Sequence, residues 1–106
     1  MSKVILVKYK EITLGELTFN NNCFCYNVFE NNVKKANNLG YPISLYEVDK
    51  NFVAQKLPYA LDDFIPNEDT QLYKTAGLLQ TDSSFTKLCK IAGLNLADNG
   101  LYVTLQ

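Results

Sequence analysis

Apolar and polar positions alternate through the first half of the chain. Lys3-Val4-Ile5-Leu6-Val7-Lys8-Tyr9 is a short β-branched, apolar run and predicts a strand. Lys10-Glu11 turns the chain, and Ile12 to Phe19 returns as a second strand, with Gly15 interrupting it as a bulge would. Asn20-Asn21-Asn22 is the next turn, because Asn tolerates left-handed backbone and bonds its own chain. Cys23 to Phe29 then alternates again, with Phe24, Tyr26 and Val28 on one face. Asn31 to Gly40 is polar and Asn-rich, which reads as a loop or one loose helical turn ending at Gly40. After Tyr41-Pro42, which favours extended backbone, Ile43 to Val48 alternates as a fourth strand closed by Asp49-Lys50-Asn51.

The period then changes. Leu57, Ala60, Leu61, Phe64 and Ile65 form an apolar stripe along one helix face, with Pro58 in the first turn and Pro66 ending the run. Asn67 is positioned to cap a second helix, with Glu68 and Asp69 in its first turn, Leu72, Ala76 and Leu79 on its apolar side and Gly77 as its stop. Asp82 is positioned to cap a third, along which Phe85, Leu88, Cys89 and Ala92 share a face up to Gly93. Asp98-Asn99-Gly100 is a turn into a last strand, Leu101 to Leu105. The predicted class is α+β in one domain over 1–106: an antiparallel meander plus the C-terminal strand, with three short helices packed on one sheet face.

Composition narrows the function. The chain has 106 residues, 47% of them hydrophobic and 20% charged, with no His, and all ten basic residues are Lys. Without His, the usual neutral-pH base and commonest metal ligand is missing; without Arg, bidentate recognition of phosphate or guanine is missing. A net charge of -1 with scattered lysines, only Lys34-Lys35 adjacent, is a poor footprint for nucleic acid. Three cysteines and an N-terminus with no signal-like or spanning apolar run lead to the expectation of a reduced, cytoplasmic protein. Cys23 and Cys25 lack the CxxC spacing and His partners of a zinc site and read as small apolar strand residues.

Other candidate chemistry also fails on spacing. Asp62, Asp63, Glu68 and Asp69 are divided by Pro66, so convergence of two carboxylates on one substrate or on Mg²⁺ is not expected. Ser83-Ser84 has no His to activate it and no Gly-x-Ser-x-Gly elbow, which leaves helix capping. Gly93-Leu94-Asn95-Leu96 lacks the spacing and the Lys-Ser/Thr of a phosphate loop. A non-enzymatic protein without metal or cofactor is expected.

Five short motifs occur in order along the chain. They are Gly15-Glu16-Leu17, Phe24-Cys25-Tyr26, Pro42-Ile43-Ser44-Leu45, Ala60-Leu61-Asp62-Asp63-Phe64-Ile65-Pro66-Asn67, and the closing pair Ala92-Gly93 and Gly100-Leu101-Tyr102-Val103. This series resembles the N-terminal lobe of HipA-family serine/threonine kinases. Ala60-Leu61 stands where that family has two aromatics, Asn67 where it has an acid, and Leu101 where it has a small residue. The family's ATP-binding and catalytic parts follow this lobe, whereas Gln106 is the last residue here, so the expectation is a stand-alone lobe similar to the HipS subunits of HipB–HipS–HipT toxin–antitoxin systems. The resemblance implies a subunit that binds and neutralises a HipT-type kinase, beside a DNA-binding HipB-type protein. An activating lobe, or a nucleic-acid-binding accessory protein of a mobile element, are the alternatives.

The expected contact surface lies within Tyr59 to Asn67. It comprises Tyr59, Asp62 and Asp63 on the side of the helix away from its apolar stripe, with Phe64 and Pro66 beside them. One amphipathic aromatic next to two charges is the composition of an interface anchor and its rim.

Overall fold

A computed structural model describes residues 3–106. Strands β1 (Ile5–Tyr9), β2 (Ile12–Asn20) and β3 (Cys23–Val28) form the expected antiparallel meander. Strands β4 (Phe52–Ala54) and β5 (Leu101–Leu105) flank it in the order β4-β3-β2-β1-β5. Helices α1 (Glu30–Asn38), α2 (Tyr59–Asp62), α3 (Gln71–Thr75) and α4 (Ser84–Gly93) complete an α+β fold with an antiparallel sheet. Among the described residues, no helix is long and apolar enough to cross a membrane.

The Gly15 bulge is present. Val7 faces Gly15 while Lys8 faces Thr13, so Leu14 is the extra residue on β2. A β-carbon at Gly15 would lie 2.6 Å from the Asn27 carbonyl oxygen and 2.8 Å from the Tyr26 ring, so only glycine fits without displacement. Asn21 and Asn22 both take positive φ in the β2–β3 turn, the conformation that lets two strands close tightly with their natural twist.

Two segments differ from expectation. Ile43–Tyr46 is a 3₁₀ turn and not a strand. Its sequence satisfies both periods: Ile43 is buried and Tyr46 half-buried, three residues apart on one side of a 3₁₀ turn, while Leu45 points out. Pro42 precedes the turn and Glu47, in left-handed backbone, ends it. The fourth strand is instead Phe52–Ala54, paired with β3 at Tyr26, Cys25 and Phe24. The second difference is α1, a full helix where a loop or loose turn was expected. Val33 and Ala36 are buried one turn apart, and the Asn32 amide donates to the Thr13 carbonyl on β2 at 2.8 Å. Tertiary contact thus overrides the weak helix propensity of its asparagines.

Both α1 and α3 end in the same glycine device. Gly40 and Gly77 have positive φ. In α1 the Gly40 and Tyr41 amides donate to the Asn37 and Ala36 carbonyls; in α3 those of Gly77 and Leu78 donate to Lys74 and Tyr73. Each pair satisfies carbonyls that the helix end would leave open. The start of α3 departs from the sequence reading. Thr70, not Asn67, caps it, its hydroxyl accepting from the Tyr73 amide at 3.3 Å. The inward face is accordingly Tyr73 and Leu78, and Leu72 and Leu79 are exposed. Ser83 caps α4, accepting from the Thr86 amide at 3.1 Å, and Asp82 caps nothing.

The core lies between one sheet face and the helices. Ile5, Val7, Leu14, Leu17, Phe24 and Tyr26 meet Val33, Ala36, Leu61, Leu88 and Ala92 there. A smaller cluster of Tyr73, Leu78 and Ile91 sits under α3, and α4 is shared between the two.

Candidate functional site

Pro58, which lacks an N–H, opens α2, and its carbonyl accepts from the Leu61 and Asp62 amides. Pro66 prevents Ile65 from continuing, so the predicted stripe is compressed into a single helical turn followed by tight turns at Phe64 and Ile65. Leu61 is fully buried, while Leu57, Ala60, Phe64 and Ile65 pack half-buried against the core. The opposite side of this turn is open. Tyr59 is 82% exposed, and Asp62 and Asp63 are exposed as well.

Tyr59, Asp63 and Phe64 come together on the wall of a groove of about 450 Å³. Leu45, Tyr46, Asp98 and Leu101 also line it, and Leu45 is 78% exposed. The remaining two of the five expected contact residues, Asp62 and Pro66, lie outside it. Phe64 has two roles, one edge packed on the core and the other on the groove. A second, smaller hollow of about 170 Å³ continues past Phe64, Asp98 and Leu101 to Leu72, Ile91 and Leu96. The two hollows share those three residues and so adjoin each other beside β5.

Sequence reasoning missed Leu45, Asp98 and Leu101 as site residues. By alternation Leu45 belongs to a strand, and nothing local in Asp98-Asn99-Gly100 signals that this turn lies beside α2. A short polar clamp orders the chain before α4. Lys90 Nζ contacts Asp82 Oδ2 at 2.7 Å and the Gly77 carbonyl at 2.9 Å, while Asp82 also accepts from the Leu79 amide at 3.0 Å. The Lys90 hydrogen bond, with the Leu79 amide behind it, holds the Asp82 carboxyl below its usual range.

The titratable groups elsewhere are structural in setting. Tyr26 donates to the Val48 carbonyl at 2.7 Å, and burial, with Asp49 nearby, pushes its phenol well above the ordinary value. Cys89 is buried, which raises its thiol, and Cys23 and Cys25 are half-buried on the sheet face opposite Phe24 and Tyr26. Among the described residues, no three His, Cys, Asp or Glu side chains converge as metal ligands would. Comparison with known protein families, with curated proteins and with solved structures finds no match.

Proposed function

We propose that this chain is a non-catalytic binding subunit that docks on a partner protein through the groove around Tyr59. The exposure of Tyr59 carries the reading. A tyrosine 82% exposed beside an equally exposed leucine, on a turn held rigid by two prolines and the buried Leu61, is an aromatic anchor without a pocket of its own. The resemblance to the HipA N-terminal lobe supplies the partner: a HipT-type serine/threonine kinase, which the subunit neutralises, with a HipB-type DNA-binding protein in the same complex.

The test is co-expression with such a kinase, scored by growth rescue and by affinity, with circular dichroism as the folding control. Tyr59→Ala is expected to weaken binding about tenfold or more, roughly 1.4 kcal/mol, with the melting temperature unchanged. Asp63→Lys is expected to weaken it more than Asp62→Lys, since only Asp63 lines the groove. Full neutralisation by folded Tyr59→Ala overturns the assignment of the surface. Deeper growth arrest on co-expression of the wild type reverses the sign and makes the subunit an activator.

A further inference from the structure

The two adjoining hollows beside β5 have a one-sided charge pattern. Their apolar lining includes Leu45, Tyr59, Phe64, Leu72 and Leu96, and the charged groups on their walls are Asp63 and Asp98; no lysine lines either hollow. Both carboxylates belong to exposed residues. The chain as a whole is nearly neutral, with ten lysines against eleven acids, so an all-acidic wall is a local feature. A different depression of about 570 Å³, beyond β4, has Lys50 and Lys56 beside Glu47 and Asp49 and shows no such bias.

We infer that this pair of hollows takes a basic, apolar segment of a protein partner: a stretch whose aliphatic or aromatic side chains fill both and whose Lys or Arg residues pair with Asp63 and Asp98. This rests on the docking surface proposed above and specifies the chemistry of what occupies it. Acids at the rim of an apolar groove steer a cationic partner and reject an anionic one, because a carboxylate brought beside Asp63 loses hydration and gains repulsion. Apolar burial supplies the affinity; the aspartates choose the sign.

The experiment is selection of a random-peptide display library on the full chain. Winning sequences are resynthesised with a Trp reporter, usable because the chain has no Trp of its own. The expected winners combine apolar residues with Lys or Arg and carry net positive charge. Their affinity falls about tenfold for Asp63→Asn/Asp98→Asn and falls with added salt. In Asp63→Lys/Asp98→Lys the preference reverses, so that a Glu-for-Lys version of the same peptide becomes the better ligand. Winners that are neutral or acidic, or that bind the Lys/Lys variant as well as wild type, overturn the charge inference. If those same winners lose affinity for Tyr59→Ala, the docking surface stands without it. Winners indifferent to Tyr59→Ala, or no enrichment at all, overturn both.

Discussion

The two apolar clusters of this molecule are built differently. In the larger one, the sheet supplies Ile5, Val7, Leu14 and Leu17 and the helices close over them, and its most deeply buried tyrosine has a partner: Tyr26 donates to Val48. The smaller cluster has three buried residues: Tyr73 on the five-residue α3, Leu78 just after it, and Ile91 on α4. Tyr73 is buried with its hydroxyl lacking any hydrogen-bond partner among the described residues. Much of what holds α3 is polar: a threonine cap and a glycine turn within the segment, and the Lys90 bond to Gly77 from α4. Few long-range apolar contacts and much local hydrogen bonding mark a unit that opens before the whole does. That unit carries Leu72, which lines the smaller hollow.

Helix α4 crosses both clusters, so one turn of it offers the sharpest contrast. Leu88→Ala, in the large core, is expected to cost about 3–5 kcal/mol, whereas Ile91→Ala is expected near 2 kcal/mol because its surroundings collapse more easily. Urea denaturation of the two variants measures this, and equal costs would mean that the clusters are a single cooperative unit. Hydrogen exchange should agree, with α3 amides exchanging faster than those of β1 and β2.

The same contrast governs how much of the fold was legible. Strands β1, β2, β3 and β5 follow from alternation and β-branched runs, and Gly15, Gly40 and Gly77 mark a bulge and two helix ends. The large core is thus written locally. Ile43–Tyr46 departs from the expected strand because an apolar alternation over so few residues cannot separate a strand from a 3₁₀ turn: a strand would bury Ile43 and Leu45 together, whereas only Ile43 is buried and Leu45 is exposed. α1 carries little local signal because Asn is a poor helix former; Val33 and Ala36 packed on the core and the Asn32 bond to Thr13 stabilise it through tertiary contact. At the site, Tyr59, Asp63 and Phe64 were found because they are neighbours in sequence. Leu45 and Asp98 reach the groove through tertiary folding, which no spacing rule reports.

A second test enters the large core from the strand side. Gly15→Ala is expected to destabilise by about 1–3 kcal/mol, since its methyl must displace the Asn27 carbonyl or the Tyr26 ring. Thermal melting checks it; an unchanged midpoint would mean that the β2–β3 pair yields more freely than its packing implies. In the small cluster the expected sign is opposite. Tyr73→Phe removes a buried hydroxyl without a protein partner and is expected to leave stability unchanged or raise it by about 1 kcal/mol. A clear loss by the same measurement would reveal a partner for that hydroxyl.

The smallest effect concerns pH. The Asp82 carboxyl titrates lower when folded than when unfolded, so its contribution is fully present above the ordinary carboxylate pKa. It is lost as pH falls through the lower folded value. The gap in melting temperature between wild type and Asp82→Asn should therefore narrow below about pH 4. A gap independent of pH would show that the Lys90 contact contributes through shape and not charge.

The sheet edge at β4 bears on how the chain behaves when concentrated. Only three residues pair there, and one step beyond them the Val28 amide is already taken by the Asn51 side chain at 2.7 Å. Asn51 acts as a stopper on a strand that would otherwise offer its next donor to a neighbouring molecule. Val53, 73% exposed, is the one apolar side chain left standing on this short edge. A brief strand with its continuation plugged gives a second copy little to extend, so stacking of molecules edge to edge, the first step toward fibres, finds no template on this side.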